Sequence, residues 1–327
     1  MTEPTNETEN TNGSRPAYAP IGRWSMGLGH RTYLGDETLI KDKHRRVCRF
    51  CGQTTPAVTF NKEAHVVPQL LANRSLLSVY ECDVCNEKFG VGIEHDLGNW
   101  TKPYRTVMLV PGQRGVPTVK GAGADPWRIE GTGRELNVTA RRDNMPYEVD
   151  EEKRLIPIEL LRDPYTPAAV MKAFVRVGLT LMPEDELVHF PKLMAWIQNP
   201  DHRTVDVGRW SWVYETRQPV SVLDGEVRAG LYRREHDEGL YPYMFLIVAF
   251  SNHLYQVPLI SAARDAHLHE KDIVLPPFPI PTSPELAQCG PSVRTLIDLN
   301  GTEVVKGEMV KINLSYGERK EVTGINP

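Results

Sequence analysis

The order of apolar and polar positions changes character several times along the chain. From the opening MTEPTNETEN to about position 22 the residues are mostly Thr, Asn, Glu, Gly, Ser and Pro, without an apolar period. Such a composition buries too little apolar area to offset the entropy of ordering, which predicts a disordered tail over residues 1–22. Residues from Phe60 to Pro68 alternate loosely and are rich in strand formers, so Glu63 and His65, two apart, should share one face of a strand. Further on, Cys85, Phe89, Ile93 and Leu97 recur every four residues and read as the buried stripe of one helix. The Pro/Gly-punctuated stretch from Pro111 to Asp125 suits hairpins or a linker.

Beyond it, Thr166-Pro167 reads as an N-cap and first helical position, opening a helix through Leu181 with Val170, Phe174, Val177 and Leu181 at helical spacing. A second helix is expected from Glu184 to Gln198, closing before Pro200. The texture then becomes that of strands, in WSWVYE, SVLDGEVRAGLYRR, YMFLIVAFSNHLYQV and VRTLIDLNGTEVVKGEMVKINLSY. Within these, Asp224-Gly225 and Asn300-Gly301 carry hairpin-turn chemistry.

With 327 residues and roughly 150 per domain, about two domains are expected. The fold class is α+β: a small unit over 23–105 centred on the cysteines, then a larger mixed α+β domain over 106–327. The apolar run from Tyr243 to Phe250 is far shorter than the roughly 20 residues of a membrane-spanning helix, so no membrane partner is expected. The N-terminus holds three glutamates and no basic or apolar core, which argues against a secretory signal and for a cytoplasmic protein. A net charge of -4 speaks against a wholly basic polyanion binder. Locally, however, Lys41, Lys43, Arg45, Arg46 and Arg49 face only Asp42.

Four of the five cysteines fall into two C-x2-C pairs, Cys48/Cys51 and Cys82/Cys85. In a reducing compartment such pairs are metal ligands before they are disulfides, and four thiolates suit a closed structural Zn²⁺ site; the plainer reading is four buried thiols. Cys289 reads as a buried small hydrophobe. His44 and His95 read as structural.

The segment from Cys48 to about Leu97, with its E-A-H-V-V-P…N…C-x2-C-N-x2-F-G signature, resembles the HNH endonucleases of the ββα-metal superfamily, in the subgroup whose two C-x2-C knuckles carry zinc. The resemblance implies a zinc-stabilised, treble-clef-like ββα-metal fold. It also implies that His65 is the general base, that Asn73 fixes the loop carrying the base, and that Asn86 is a ligand to a catalytic divalent metal, Mg²⁺ or Mn²⁺. Many members place an acidic ligand directly before the histidine, where this chain has Ala64. Glu63 is the favoured substitute. Glu94 is the other candidate, but eight residues along one helix set it about 12 Å from Asn86 unless Gly90 and Gly92 break that helix.

The residue types fit phosphodiester hydrolysis on their own terms. An imidazole titrates near neutrality without large perturbation, and a hard cation stabilises phosphoryl charge. Arg74 and Lys88 flank the proposed site, and the Arg45, Arg46, Arg49 cluster could track a phosphate backbone, although charge runs are by default solvated faces. DNA is the expected substrate. The larger domain shows no nucleotide loop, nucleophile elbow or metal-ligand spacing, and its expected role is recognition, oligomerisation into a homo-oligomer, or response to an activating ligand, by analogy with bacterial defence effectors. The competing class is a non-catalytic zinc-finger-like module that binds nucleic acid or protein.

Overall fold

The structure is a computed structural model. It describes residues 18–316 except 28, 122–126, 133–134, 142–143, 204–209, 222, 237–238, 270, 280–283 and 285–287, so most of the expected tail, residues 1–17, lies outside the described residues. The elements in order are β1 (Tyr18–Met26), β2 (Thr32–Leu34), α1 (Glu37–Lys41), β3 (Ala64–His65), β4 (Leu76–Ser78), α2 (Asp83–Val91), α3 (Ile93–Val107), β5 (Val119–Lys120), β6 (Arg128–Thr132), β7 (Glu135–Thr139) and β8 (Leu155–Leu161). There follow α4 (Pro167–Leu181), α5 (Glu184–Leu187), α6 (Pro191–Gln198), β9 (Trp212–Arg217), β10 (Leu223–Arg234), β11 (Met244–Ser251), β12 (His253–Leu259), β13 (Val293–Asp298) and β14 (Met309–Ser315). The chain is thus α+β, with the cysteine-rich ββα region followed by a larger sheet-rich part.

The main sheet has six strands in the order β1-β10-β11-β12-β9-β13, and all its pairings are antiparallel. Its inner face, with Leu246, Val248, Tyr255 and Val257, packs on α4. All fifteen residues of α4 are buried, as expected of a helix covered on every side. On its other flank α4 meets α3. Trp100 of α3, Phe174 of α4 and Tyr255 of β12 come together there, with ring centroids 5.2 to 6.1 Å apart. Edge-on and tilted aromatic contacts of this kind bury large areas at favourable geometry. One continuous apolar core therefore runs from Cys48, Phe50 and Phe89 to the sheet, across the boundary that the sequence placed near residue 105. A smaller core joins Tyr104 and Val107 to the β5-β6-β7 sheet and the β8-β14 pair.

Several expectations need correction. Residues 18–22, assigned to the tail, open β1, because Tyr18 and Ile21 find apolar cover against the distant β10. The Cys85–Leu97 stripe is fully buried, yet it spans two helices: Gly92, with φ -100° and ψ -105°, ends α2 and begins α3. The expected Glu184–Gln198 helix is likewise interrupted, because Pro191 has no N–H to continue a ladder and starts α6 instead. Asp224-Gly225 makes no hairpin; Gly225 sits at φ +68° inside β10, where the register slips between Leu223 and Val227. That is a bulge, and the hairpin itself turns later, between β11 and β12. Asn300-Gly301 is no hairpin either, since β13 pairs with β9 and β14 with β8. The carbonyl of Gly301 instead accepts the Ala168 N–H at the start of α4, 2.9 Å away. Cys289 is exposed, not buried. Among the described residues, no helix is long and apolar enough to cross a membrane.

Candidate nuclease site

The four cysteine sulfurs converge within 4.8 Å of one another, and among the described residues they are the one group of three or more His, Cys, Asp or Glu able to hold an ion. The Sγ atoms of Cys51 and Cys82 lie 3.8 Å apart. A tetrahedron with metal–sulfur arms of about 2.3 Å has an edge of about 3.8 Å, so the donor set fits structural zinc in both chemistry and spacing. The Cys82 N–H points at Cys48 Sγ and the Cys85 N–H at Cys82 Sγ, each at 3.5 Å, as expected where a knuckle presents amides to thiolates.

That clamp anchors a ββα unit. β3 pairs antiparallel with β4, setting His65 opposite Leu77, and β2 adds in parallel on the far side of β4. Asp83, in the first turn of α2, accepts the N–H groups of Asn61 (3.0 Å) and Lys62 (2.7 Å), which fixes the chain just before Glu63 to the helix N-terminus. Asn73 is fully buried in the loop between the strands. Its Nδ2 donates to the carbonyls of Val67 (2.8 Å) and Leu76 (2.9 Å), and its Oδ1 accepts from the N–H groups of Ser75 (3.2 Å) and Leu76 (3.0 Å). All four hydrogen-bonding positions of the amide are therefore used on the loop that leads out of the histidine strand.

His65, Glu63, Asn86 and Glu94 line one open cleft of about 950 Å³ between the hairpin, the two helices and the loop at 112–117. His65 is half-buried, and its Nδ1 is buried with no hydrogen-bond partner. Burial lowers its pKa below the ordinary histidine value; Glu63 opposes that and Arg176 reinforces it. A lowered pKa favours the neutral imidazole, the form that accepts a proton. The break at Gly92 removes the 12 Å objection to Glu94, since the two residues no longer share one helix. The two carboxylates differ in their partners. Glu63 is exposed and paired with Arg31, whereas Glu94 lies 3.3 Å from Arg176 and burial raises its pKa.

Arg176 is the residue that sequence reasoning missed. Fully buried in α4, it donates to the carbonyls of His65 (2.8 Å) and Val66 (3.0 Å) and pairs with Glu81 as well as Glu94. Glu81, which precedes Cys82, is also buried, and burial pushes its carboxyl up to about 7 despite the guanidinium beside it. No local pattern announces such a contact; the signal available was only an arginine inside a largely apolar helix. His95 was read as structural, yet it lines the cleft and shares a 3.2 Å hydrogen bond with Asn99.

The basic cluster does something other than expected. Arg49 donates to the carbonyls of Leu179, Thr180 and Met182 and to Glu184, with its guanidinium over the Tyr80 ring, so it closes the C-terminus of α4. Arg46 likewise donates to the carbonyls of Leu39 and Ile40 at the end of α1. Both are buried in helix capping and cannot track a phosphate backbone. Arg45 is exposed, Lys88 donates to the Gln198 carbonyl, and Arg74 holds the Gly112 carbonyl at 2.7 Å; none of the three lines the cleft.

Neither the curated proteins nor the solved structures contain a match to this chain. Residues 48–101, the span holding both cysteine pairs, the histidine hairpin and the helix of Asn86, match the family model of the HNH endonucleases, and it is this family that the region is similar to.

Proposed function

We propose that the cleft hydrolyses phosphodiester bonds of DNA in a reaction dependent on Mg²⁺ or Mn²⁺. The observation that carries this reading is that a half-buried His65 and Asn86 line one open cleft beside a four-cysteine clamp. In this reading His65 takes the proton of the attacking water, and Asn73 holds the loop that sets the histidine strand against β4. Asn86 and Glu63 would hold the divalent ion, whose chemistry is to stabilise charge on the phosphoryl oxygens. Glu63 is favoured over Glu94 because Glu94 is already engaged with the buried Arg176. The larger sheet-rich part is assigned recognition or regulation, in a cytoplasmic protein acting as a bacterial defence effector.

The test is to incubate the purified chain with plasmid, linear duplex and single strands under Mg²⁺, Mn²⁺ and EDTA. Cleavage is expected with either metal and none with EDTA. His65→Ala should lower the rate by about 10² to 10⁴ with zinc and fold retained. Wild-type turnover in that variant would overturn the assignment of the base, and binding without cleavage in any arm would favour a non-catalytic module.

A further inference from the structure

Charge accounting along the cleft leaves a remainder. Of the carboxylates lining it, Glu63 pairs with Arg31, Glu94 with Arg176 and Asp163 with Lys102. Two arginines on its walls, Arg105 and Arg114, have no acidic partner among the described residues. Arg114 is exposed at the tip of the Gly112–Gly115 turn, which closes on itself through hydrogen bonds of 2.9 and 3.2 Å. Arg105 is the more telling of the two. It is 6% exposed, and its contacts are neutral: the Thr101 hydroxyl at 3.0 Å, the Gly98 carbonyl at 2.8 Å and the Leu70 carbonyl at 3.4 Å. Those three contacts leave two of its five N–H groups over. A buried cation is normally matched by an anion, because its desolvation is otherwise uncompensated. Burial alone lowers the pKa of this guanidinium to about 10, with no acid opposing the shift.

Two glycines border the guanidinium on the side of the cleft. A Cβ at Gly98 would stand 3.9 Å from its Nη2 and one at Gly112 would stand 3.7 Å from its Nη1, and both glycines line the cleft. Arg74 pins the Gly112 carbonyl, which fixes that wall in place. Along α3, Arg105 lies roughly 16 Å from Glu94, or about five base steps of 3.4 Å from the histidine end.

We propose that Arg105, in its cradle of Gly98 and Gly112 with Arg114 at the rim, is a subsite for a backbone phosphate of the nucleic-acid substrate several nucleotides from the bond that is cut. Arg105, Gly112 and Arg114 lie beyond the residues matched by the family model, and Gly98 lies near their end. It rests on the hydrolytic reading above for the identity of the polyanion, and it supplies the anion that the wall lacks.

The experiment measures binding of a labelled 20-base-pair DNA duplex to full-length protein carrying His65→Ala, across a salt series, with and without a second substitution. Arg105→Met should weaken binding about tenfold and reduce the slope of log affinity against log salt by about 0.9, the value for one phosphate contact. Arg105→Lys should keep the slope and recover only part of the affinity, since an ammonium lacks the fork. Gly98→Ala keeps the arginine and raises helix propensity, so weaker binding in that variant cannot be put down to misfolding. It also keeps the test decisive if Arg105→Met fails to fold. Unchanged affinity and slope in Arg105→Met, or in Gly98→Ala where the methionine variant is unfolded, would overturn the subsite. If wild-type protein cuts nothing while binding still depends on Arg105, the hydrolytic reading fails and the subsite stands. If wild-type protein cuts DNA while Arg105→Met binds as before, the reverse holds.

Discussion

Arg176 and Arg105 are both buried beside the same cleft, and their surroundings could hardly be less alike. Arg176 faces two carboxylates, Glu81 and Glu94, and two carbonyls of the histidine strand. Arg105 has a hydroxyl and two carbonyls and no acid. A guanidinium surrounded by its own counter-charges is fixed and fixes others; it has nothing left to offer a ligand. Arg105, held by neutral oxygens alone, keeps a charge that no internal acid matches. Burial by itself does not separate these two arginines; the acids beside one and not the other do.

The contrast can be broken most severely on the Arg176 side. Cys82→Ser removes a clamp ligand next to Glu81 and should abolish zinc in metal analysis and unfold the region of roughly 45–100, because metal binding there is also folding free energy. Since that region shares its core with α4 and the sheet, a calorimetric scan should show the rest of the molecule melting at a lower temperature.

A smaller and more discriminating change is Arg176→Met set against Arg105→Met. The first leaves Glu81 and Glu94 buried without their cation and should lose about 3–5 kcal/mol in denaturant titration. The second abandons no anion and should lose less than about 1 kcal/mol. The two deficits should also differ in pH dependence. The Glu81 carboxyl is raised from 4.5 to about 7 in the folded chain, so the folded state holds this proton more tightly than the unfolded one. Its contribution to stability is full below about 4.5 and is lost as pH rises through 7. Without Arg176 the folded carboxyl rises further, and the deficit of Arg176→Met should widen between pH 5 and pH 8. A deficit that stays flat over that range would remove Glu81 from the account.

Activity sharpens the same comparison with smaller effects. Glu63→Gln should raise the Mg²⁺ or Mn²⁺ concentration for half-maximal cleavage several-fold, because an amide is a poorer ligand than a carboxylate for a hard cation. Glu94→Gln should leave that midpoint nearly in place and act through stability, as a member of the Arg176 group. The opposite pattern in a metal titration would exchange the two assignments. Least in size, the acid limb of kcat/KM against pH should have its midpoint below 6.5, since burial lowers the pKa of His65.

What could be read from the sequence follows from how far each signal reaches. The roles expected of His65 and Asn73 came from the resemblance of the segment around them, whereas the cysteine pairs are set by spacing over a few residues and were legible from it. Thr166-Pro167 marked the start of α4 for the same reason. Arg176 meets His65 across 111 positions, and nothing near either residue encodes that meeting. The cluster around Arg49 misled because a run of positive charge looks the same whether it faces solvent or closes a helix end. Asp224-Gly225 had the right chemistry for positive φ, but the strands on either side decided that it would serve a bulge. Gly92 lay between: its capacity to break the stripe was visible, and whether it did so depended on packing.

The reach of Arg176 back to the histidine strand also bears on when the molecule becomes complete during synthesis. At roughly 5–20 residues per second, the 111 positions between His65 and Arg176 take about 5–20 s to emerge. The N-terminal strand waits longer, since β1 pairs with β10. For most of that interval the ribosome carries a chain whose four cysteines and histidine are already present but whose histidine strand lacks its anchor. Translation order thus separates the arrival of the candidate site residues from their alignment, and a truncated product ending before α4 would carry the motif without the support that holds it in register.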